Sequence, residues 1–247
     1  MSTIRCQSYT FENIRAIIFD KDGTLANSEV ALRSLAQRRS RLIDAQIPGV
    51  QDPLLMAFGV NGDRIDPSGL MAIGTRLENE IAAAAYVAET GRGWVESLQI
   101  VQSAFTEADR SLSPKAEQTP LMLGALDLIQ CLSQAGIRLA MLSSDSAANV
   151  REFLEVHALQ PYFEAAYGVD AKFPTKTDAQ LLQQLLLALA VPPPQVLVVG
   201  DSQVDVQVAK DAGLAGCIGF TGGWTTAPPI AGATVLAEQF SQIELTL

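Results

Sequence analysis

Two carboxylates one residue apart, Asp20 and Asp22, follow the apolar run Ala16-Ile17-Ile18-Phe19 and precede Gly23 and Thr24. Acids at that spacing can share one hard cation and still leave an oxygen free to attack an electrophile. Gly23 permits a sharp turn, and Thr24 adds a hydroxyl. An isolated acidic pair also occurs on plain surfaces. Position makes this one a candidate, because ligands of open α/β sheets bind outside the carboxyl ends of strands. A second such group is Gly200-Asp201-Ser202-Gln203-Val204-Asp205, directly after Val196-Leu197-Val198-Val199. Between the two stand Ser143 and Ser144, after Leu139-Ala140-Met141-Leu142, and Lys176, just ahead of a helical stretch.

The elements that must position these groups alternate. From Leu121 onward, the patterns predict a helix to Ala135, a strand over 137–142 and a helix with Val150, Phe153 and Leu154 as its stripe. A short strand over 165–169, a helix over 177–190, the strand at 196–199 and a helix over 202–212 follow. Further strands are expected near 216–220 and 234–237. Strands alternating with helices imply a parallel sheet covered on both faces. Between the first strand and Leu121 the pattern is helical instead. Leu32, Leu35, Ala36, Leu42 and Ile43 begin it, and stretches over 75–89 and 94–110 continue it. Pro48-Gly49 and Asp52-Pro53 read as breaks, 59–69 as a polar loop and 113–120 as a linker. The inserted block predicts a separate lobe hinged near 26–28 and 113–120. The expected division is a core of 1–26 and 119–247 with a helical domain of 27–118.

Composition narrows the partners. The chain has 247 residues and a net charge of −10, a balance that opposes binding to a polyanion. Its three cysteines, Cys6, Cys131 and Cys217, are far apart and show no CxxC spacing. They suggest neither a disulfide framework nor a zinc site, and each reads as a small core residue in a reducing compartment. No signal-like N-terminus or apolar run long enough for a membrane span is visible. A cytoplasmic protein is expected.

The run AIIFDKDGT resembles the first motif of the haloacid dehalogenase-like (HAD) hydrolases, hhhhDxDGT. Ser143 stands where that family ends its second motif, Lys176 where it places its third-motif lysine, and GDSQVD matches its fourth motif, GDxxxD. The resemblance covers 16 to about 219 in family order, and the insertion sits where the family carries its helical C1 cap. It implies an α/β fold, a doubly wound parallel (Rossmann-like) sheet core with an inserted helical cap domain. It also implies a Mg²⁺-dependent phosphatase. Asp20 would be the nucleophile that forms an aspartyl-phosphate, and Asp22 the acid and then the base. Ser143 and Lys176 would complete the catalytic set, with Gly23, Thr24 and Ser144 near the phosphate. Asp20, Asp201 and the backbone carbonyl of Asp22 would hold the metal, and Asp205 would orient metal-bound water or Lys176 from behind.

Bland readings stand beside these roles. Ser143 could cap a helix, Lys176 could be a solvated lysine with Lys172 as its rival, and Asp205 could be a helix-face charge. Lys176-Thr177 lacks the proline that many relatives have there, and Asn27 replaces an aspartate after the turn. His157 reads as structural, and Trp94 and Trp224 as packing residues. Asp22 separates the chain from dehalogenases, which lack it, and from P-type ATPases, whose DKTGT has threonine there.

The cap implies a small phosphorylated metabolite as substrate, with 2-phosphoglycolate, the substrate of phosphoglycolate phosphatases, as the leading candidate. In the cap, Ser68, Gly69 and Thr75 are candidate substrate-side residues. The arginines Arg33, Arg38, Arg39 and Arg41 read mainly as a solvated face with one or two useful members. A β-phosphoglucomutase-like phosphotransferase and a non-catalytic binding protein on the same fold remain alternatives. No nucleic acid or membrane partner is expected, and the chain is read as a monomer or homodimer.

Overall fold

The computed structural model describes residues 2–170 and 172–246. Eleven strands run through it in chain order: β1 (Thr3–Cys6), β2 (Tyr9–Phe11), β3 (Ala16–Phe19), β4 (Val60–Asn61), β5 (Arg64–Ile65), β6 (Arg138–Ser146), β7 (Phe163–Val169), β8 (Val196–Gly200), β9 (Gly216–Phe220), β10 (Val235–Ala237) and β11 (Ile243–Thr246). Six of them form one parallel sheet in the order β10-β9-β8-β3-β6-β7. The chain leaves β3 for β6 and β7 on one side, then returns to β8 on the other. The order therefore reverses at β3, where a crevice opens at the carboxyl ends of the strands. The fold is α/β and doubly wound.

The helices are α1 (Glu29–Asp44), α2 (Gln51–Ala57), α3 (Leu70–Ile73), α4 (Arg76–Glu89), α5 (Trp94–Ser111), α6 (Lys115–Gln118), α7 (Ala125–Gln134), α8 (Ala147–Val156), α9 (Ala179–Leu189) and α10 (Gln203–Asp211). The period-2 alternation of β3 divides its side chains between two cores. Ile17 and Phe19 pack with α7 and α8 through Ile129, Leu132, Val150 and Phe153. Ala16 and Ile18 pack with α9 and α10 through Leu181, Leu185 and Val206. Helices α1 to α5 build a third cluster of their own around Phe58, Phe105, Ala84 and Val101.

The two connections to this helical segment run side by side. Asn27 N–H donates to Pro120 C=O at 2.9 Å, and Met122 N–H donates to Leu25 C=O at 2.8 Å. This pairing takes up residues 121 and 122, so α7 begins at Ala125 and not at Leu121.

Several expectations change. Asp52-Pro53 lies inside α2, because a proline in the first helical turn lacks only an N–H that has no intrahelical partner there. The loop over 59–69 contains the β4–β5 hairpin. The linker over 113–120 contains α6, whose Ala116 joins the cluster beneath the sheet. Strand β6 continues past Leu142 to Ser146 with a register shift against β7. Strands β1, β2 and β11, none of them anticipated, form a separate antiparallel sheet joining the two ends of the described chain. Cys6 and Cys217 are buried, but Cys131 is exposed. Among the described residues no helix is long and apolar enough to cross a membrane.

Candidate active site

The three adjacent strands β8, β3 and β6 aim their carboxyl ends at one crevice, which explains why residues far apart in sequence meet there. Asp20 continues the ladder of β3, its N–H donating to Val199 C=O at 2.9 Å. Its carboxylate pairs with Lys176 Nζ at 2.7 Å, and the same ammonium reaches Asp205 Oδ1 at 2.6 Å. Asp205 Oδ2 accepts from the N–H and hydroxyl of Ser202, at 3.0 and 2.7 Å. Asp201 accepts from Trp224 Nε1 at 2.6 Å and from the Thr24 hydroxyl at 3.4 Å. Lys176 is 4% exposed and Asp205 fully buried, and this one cation faces a cluster of three buried carboxylates, so negative charge is left in surplus. Burial raises the proton affinity of Asp20, Asp205 adds to the rise, and Lys176 only partly offsets it. Asp201 is pushed well above its ordinary value by burial, by Asp20 and by Asp205. Burial would lower Lys176, but Asp20 and Asp205 hold it above the usual lysine range.

Asp22, two residues on, faces different company. Its Oδ2 pairs with Lys21 Nζ at 2.7 Å and with Lys115 Nζ at 2.9 Å, and its Oδ1 accepts from the Ser28 hydroxyl at 2.5 Å. Both lysines also reach Asp145, at 3.0 and 2.6 Å. Burial would push Asp22 up, but Lys115 and then Lys21 outweigh it and hold the carboxyl below its ordinary value. Asp145 is lowered in the same way, against the effect of its own burial. Asp145 N–H donates to the Ser143 hydroxyl at 3.1 Å.

A cavity of about 470 Å³ lies between the sheet and the helical segment. Asp20, Asp22, Ser143, Ser144, Lys176 and Asp201 all line it. Gly23 and Thr24 stand outside this lining. Thr24 is fully buried behind Asp201, and Gly23 has a φ of +74°. A side chain on Gly23 would collide with Trp224 and Asp201, and one on Gly223 would collide with the Gly23 backbone. Lys172, the rival lysine, is exposed and stacks over Phe173, whereas Lys176 is buried in the cluster. His157 holds the Thr119 carbonyl at 3.0 Å and packs on Phe153, a structural position.

On the helical side, Thr75 caps α4 through a capping box. Neither Thr75 nor Ser68 nor Gly69 lines the cavity. That wall is made by Met71 to Gly74, Arg39, Arg76, Asn79 and Asp109. Lys115, Lys21 and Asp145 escaped the sequence reading. Lys115 sits in what read as a linker, and only its being the sole lysine of that polar stretch could have marked it. Trp224 packs against the third cluster, as expected of a packing residue, and in addition holds Asp201.

The carboxylate oxygens of Asp20, Asp201 and Asp205 lie within 4.8 Å of one another. Hard oxygen donors with surplus negative charge suit a small divalent cation. Asp205 already serves Lys176 and Ser202, which leaves Asp20 and Asp201 as the side chains best placed to hold one. Asp22 turns its side chain away from this group and toward the lysines.

Known proteins match this architecture. A family model described as a haloacid dehalogenase-like hydrolase matches residues 14–213. A phosphoglycolate phosphatase of Vibrio vulnificus is 27% identical over 225 residues, covering 90% of each chain. A phosphoglycolate phosphatase of Vibrio cholerae is 28% identical over 229 residues, covering 90% of this chain and 91% of its own. Among solved structures, a predicted phosphoglycolate phosphatase from Haemophilus somnus superimposes with a TM-score of 0.65 at 21% identity, covering 91% of this chain and 94% of its own. CbbY from Rhodobacter sphaeroides, in complex with phosphate, gives a TM-score of 0.56 at 23% identity, covering 92% and 95%. These two structures share the fold. With most of its length matched by the family model, from before β3 to beyond α10, the chain belongs to the haloacid dehalogenase-like hydrolases.

Proposed function

We propose that this hydrolase is a Mg²⁺-dependent phosphatase that cleaves a small phosphate monoester through an aspartyl-phosphate on Asp20. The observation that carries the reading is the separation of two acids on one turn. Asp20 lies in a carboxylate-rich cluster with Lys176, and Asp22 lies between two lysines, both on the same cavity. One oxygen of Asp20 is held by Lys176, and the other attacks phosphorus. The bond to the leaving oxygen breaks, and Asp22 supplies the proton to the departing alkoxide. Asp22 then takes a proton from water. The resulting hydroxide attacks phosphorus, and the bond to Asp20 breaks to release inorganic phosphate.

Lys21 and Lys115 hold Asp22 ionised while the site is empty of phosphate. An arriving phosphate raises its proton affinity, because added negative charge favours the neutral acid. The Ser143 hydroxyl and the backbone beyond it, with Ser144, donate to phosphate oxygens, while Lys176 compensates the charge concentrated on them. Bound Mg²⁺, held by Asp20, Asp201 and the Asp22 carbonyl, would neutralise charge on the phosphate oxygens. Asp205 keeps Lys176 and the Ser202 amide in place.

We take residues 27–118 as a cap over a core of 1–26 and 119–247, moving about the paired connections and excluding water. The names of the curated relatives support 2-phosphoglycolate as the leading substrate. The test is phosphate release from a panel of small esters, including 2-phosphoglycolate and sugar phosphates, with and without Mg²⁺. Release should require Mg²⁺ and should fall by at least about 10⁴-fold in Asp20→Asn. Isomerised sugar phosphate in place of free phosphate, or no turnover by folded protein, would overturn the reading.

A further inference from the structure

Four arginines crowd the helix α1, and their environments differ. Arg33 donates to the Asp63 carbonyl, Arg38 reaches the Ser111 hydroxyl at 2.9 Å, and Arg41 is exposed. Arg39 alone turns inward. It is 6% exposed, lines the cavity shared with Asp20 and Asp22, and lays its guanidinium 4.1 Å from the centroid of the Phe105 ring. Its Nη2 reaches Asp109 Oδ1 at 3.3 Å, and its buried Nε has no partner.

The neighbouring groups leave the Arg39 guanidinium short of hydrogen-bond partners. Asp109 is bound closely by Arg76 Nη1, and Arg76 Nε also holds Glu80 at 2.7 Å. Arg76 thus has two carboxylates, and Arg39 has one long bond to a carboxylate it shares. A buried charged donor without a partner is costly. The Nε–Nη edge of a guanidinium matches a planar carboxylate with two parallel hydrogen bonds. Stacking on Phe105 explains why the group is held in the wall, but it satisfies no N–H. The other unpartnered buried atom of this wall, Asn79 Oδ1, is an acceptor and offers nothing to an anion.

We propose that Arg39 is a specificity-determining residue, pairing through its guanidinium with a carboxylate on the leaving alcohol of the substrate. The proposal rests on the phosphatase reading above and deepens it. A carboxylate fits better than a second phosphate. One guanidinium edge balances a single negative charge, whereas a terminal phosphate dianion needs a further cation, and Arg76 is already occupied. The carboxylate would strengthen substrate binding and fix which ester enters the closed cavity.

The experiment compares kcat/KM for three esters of similar size: 2-phosphoglycolate, 2-hydroxyethyl phosphate, which replaces the carboxylate by a neutral alcohol, and ethane-1,2-diol bisphosphate. The intact protein should prefer 2-phosphoglycolate over 2-hydroxyethyl phosphate by at least about tenfold. In Arg39→Gln that ratio should fall at least about tenfold, mainly through KM for 2-phosphoglycolate. Arg39→Lys, which keeps the charge and loses the edge, should recover part of it. Melting curves establish that each variant is folded. If Arg39→Gln does not fold, the native ratio and Arg39→Lys decide. A native ratio near one overturns the proposal, as does a ratio unchanged in a folded variant or a preference for the bisphosphate, and all three leave the phosphatase reading intact. No release from any ester overturns both.

Discussion

Asp20 and Asp22 leave the same strand two residues apart, yet their surroundings push them in opposite directions. Asp20 shares Lys176 with Asp205 and stands against Asp201, so negative charge is in surplus and its proton affinity rises. Asp22 and Asp145 face Lys21 and Lys115, two carboxylates against two ammonium groups, and both carboxyls are lowered. Burial is common to the two clusters, so it does not explain the difference; the count of cations does. A charge-surplus cluster waits for a cation, while a balanced one holds an acid whose protonation can change when an anion arrives. In the proposed mechanism these are the places for metal and nucleophile on one side and for proton transfer on the other.

Breaking the first cluster should cost most. Lys176→Met removes the cation that pairs with Asp20 and Asp205 and leaves Asp205 fully buried with no charge partner among the described residues. Activity should fall about 10³-fold, and urea unfolding should show a loss of about 3 to 5 kcal/mol in protein stripped of metal. Retained turnover would show that Lys176 compensates no charge in the transition state.

The pH dependence of metal-free stability sharpens the contrast. Asp20 and Asp201 bind protons more tightly in the folded chain than in the unfolded one, whose carboxyls titrate near 3.8. The native state therefore holds more protons above that pH, and their contribution to stability falls as the pH rises. Asp22 and Asp145 have the reverse sign. Their contribution is present above the ordinary value and is lost as the pH falls through the lower native one. Melting temperatures in EDTA should decline on the neutral side of this range. Asp201→Asn should flatten that decline, and so should Mg²⁺, which at a hundredfold excess over its Kd adds about 2.7 kcal/mol. A flat EDTA profile would contradict the surplus-charge account.

The smallest effect belongs to the balanced cluster. Lys115→Met takes from Asp22 the cation that lowers it most, so the acid limb of the pH–kcat profile, set where Asp22 acts as the base toward water, should move to higher pH. The loss in turnover should be about tenfold. An unmoved limb would mean that Asp22 does not govern it.

The parallel sheet and the strand ends carrying Asp20 and Asp201 were legible because each is written in a short local pattern, a buried apolar run followed by turn and acidic residues. Helix ends were legible where a cap is local. Asp178 closes the start of α9 by accepting from Gln180 and Leu181, two residues beyond the start that the helical pattern predicts. The antiparallel sheet of β1, β2 and β11 was not legible, since it pairs residues 3–6 with residues 243–246. Lys115 was illegible for a related reason. Its segment is polar and turn-like, and only the docking of α6 against the core brings its ammonium to Asp22. The cap wall was read one step off. Thr75 is used up in capping α4, and Arg76 and Asn79 beyond it reach the cavity.

By itself, then, the sequence determined the alternation of strands and helices in the parallel sheet, the family and the acids at the strand ends, because these depend on periodicity and on chemistry within a few residues. Tertiary structure alone decided which cation each acid meets, that Arg39 and not its three neighbours faces the cavity, and that Trp224 holds Asp201. Those outcomes depend on distances between segments far apart along the chain, and the electrostatics of a buried site follow such distances.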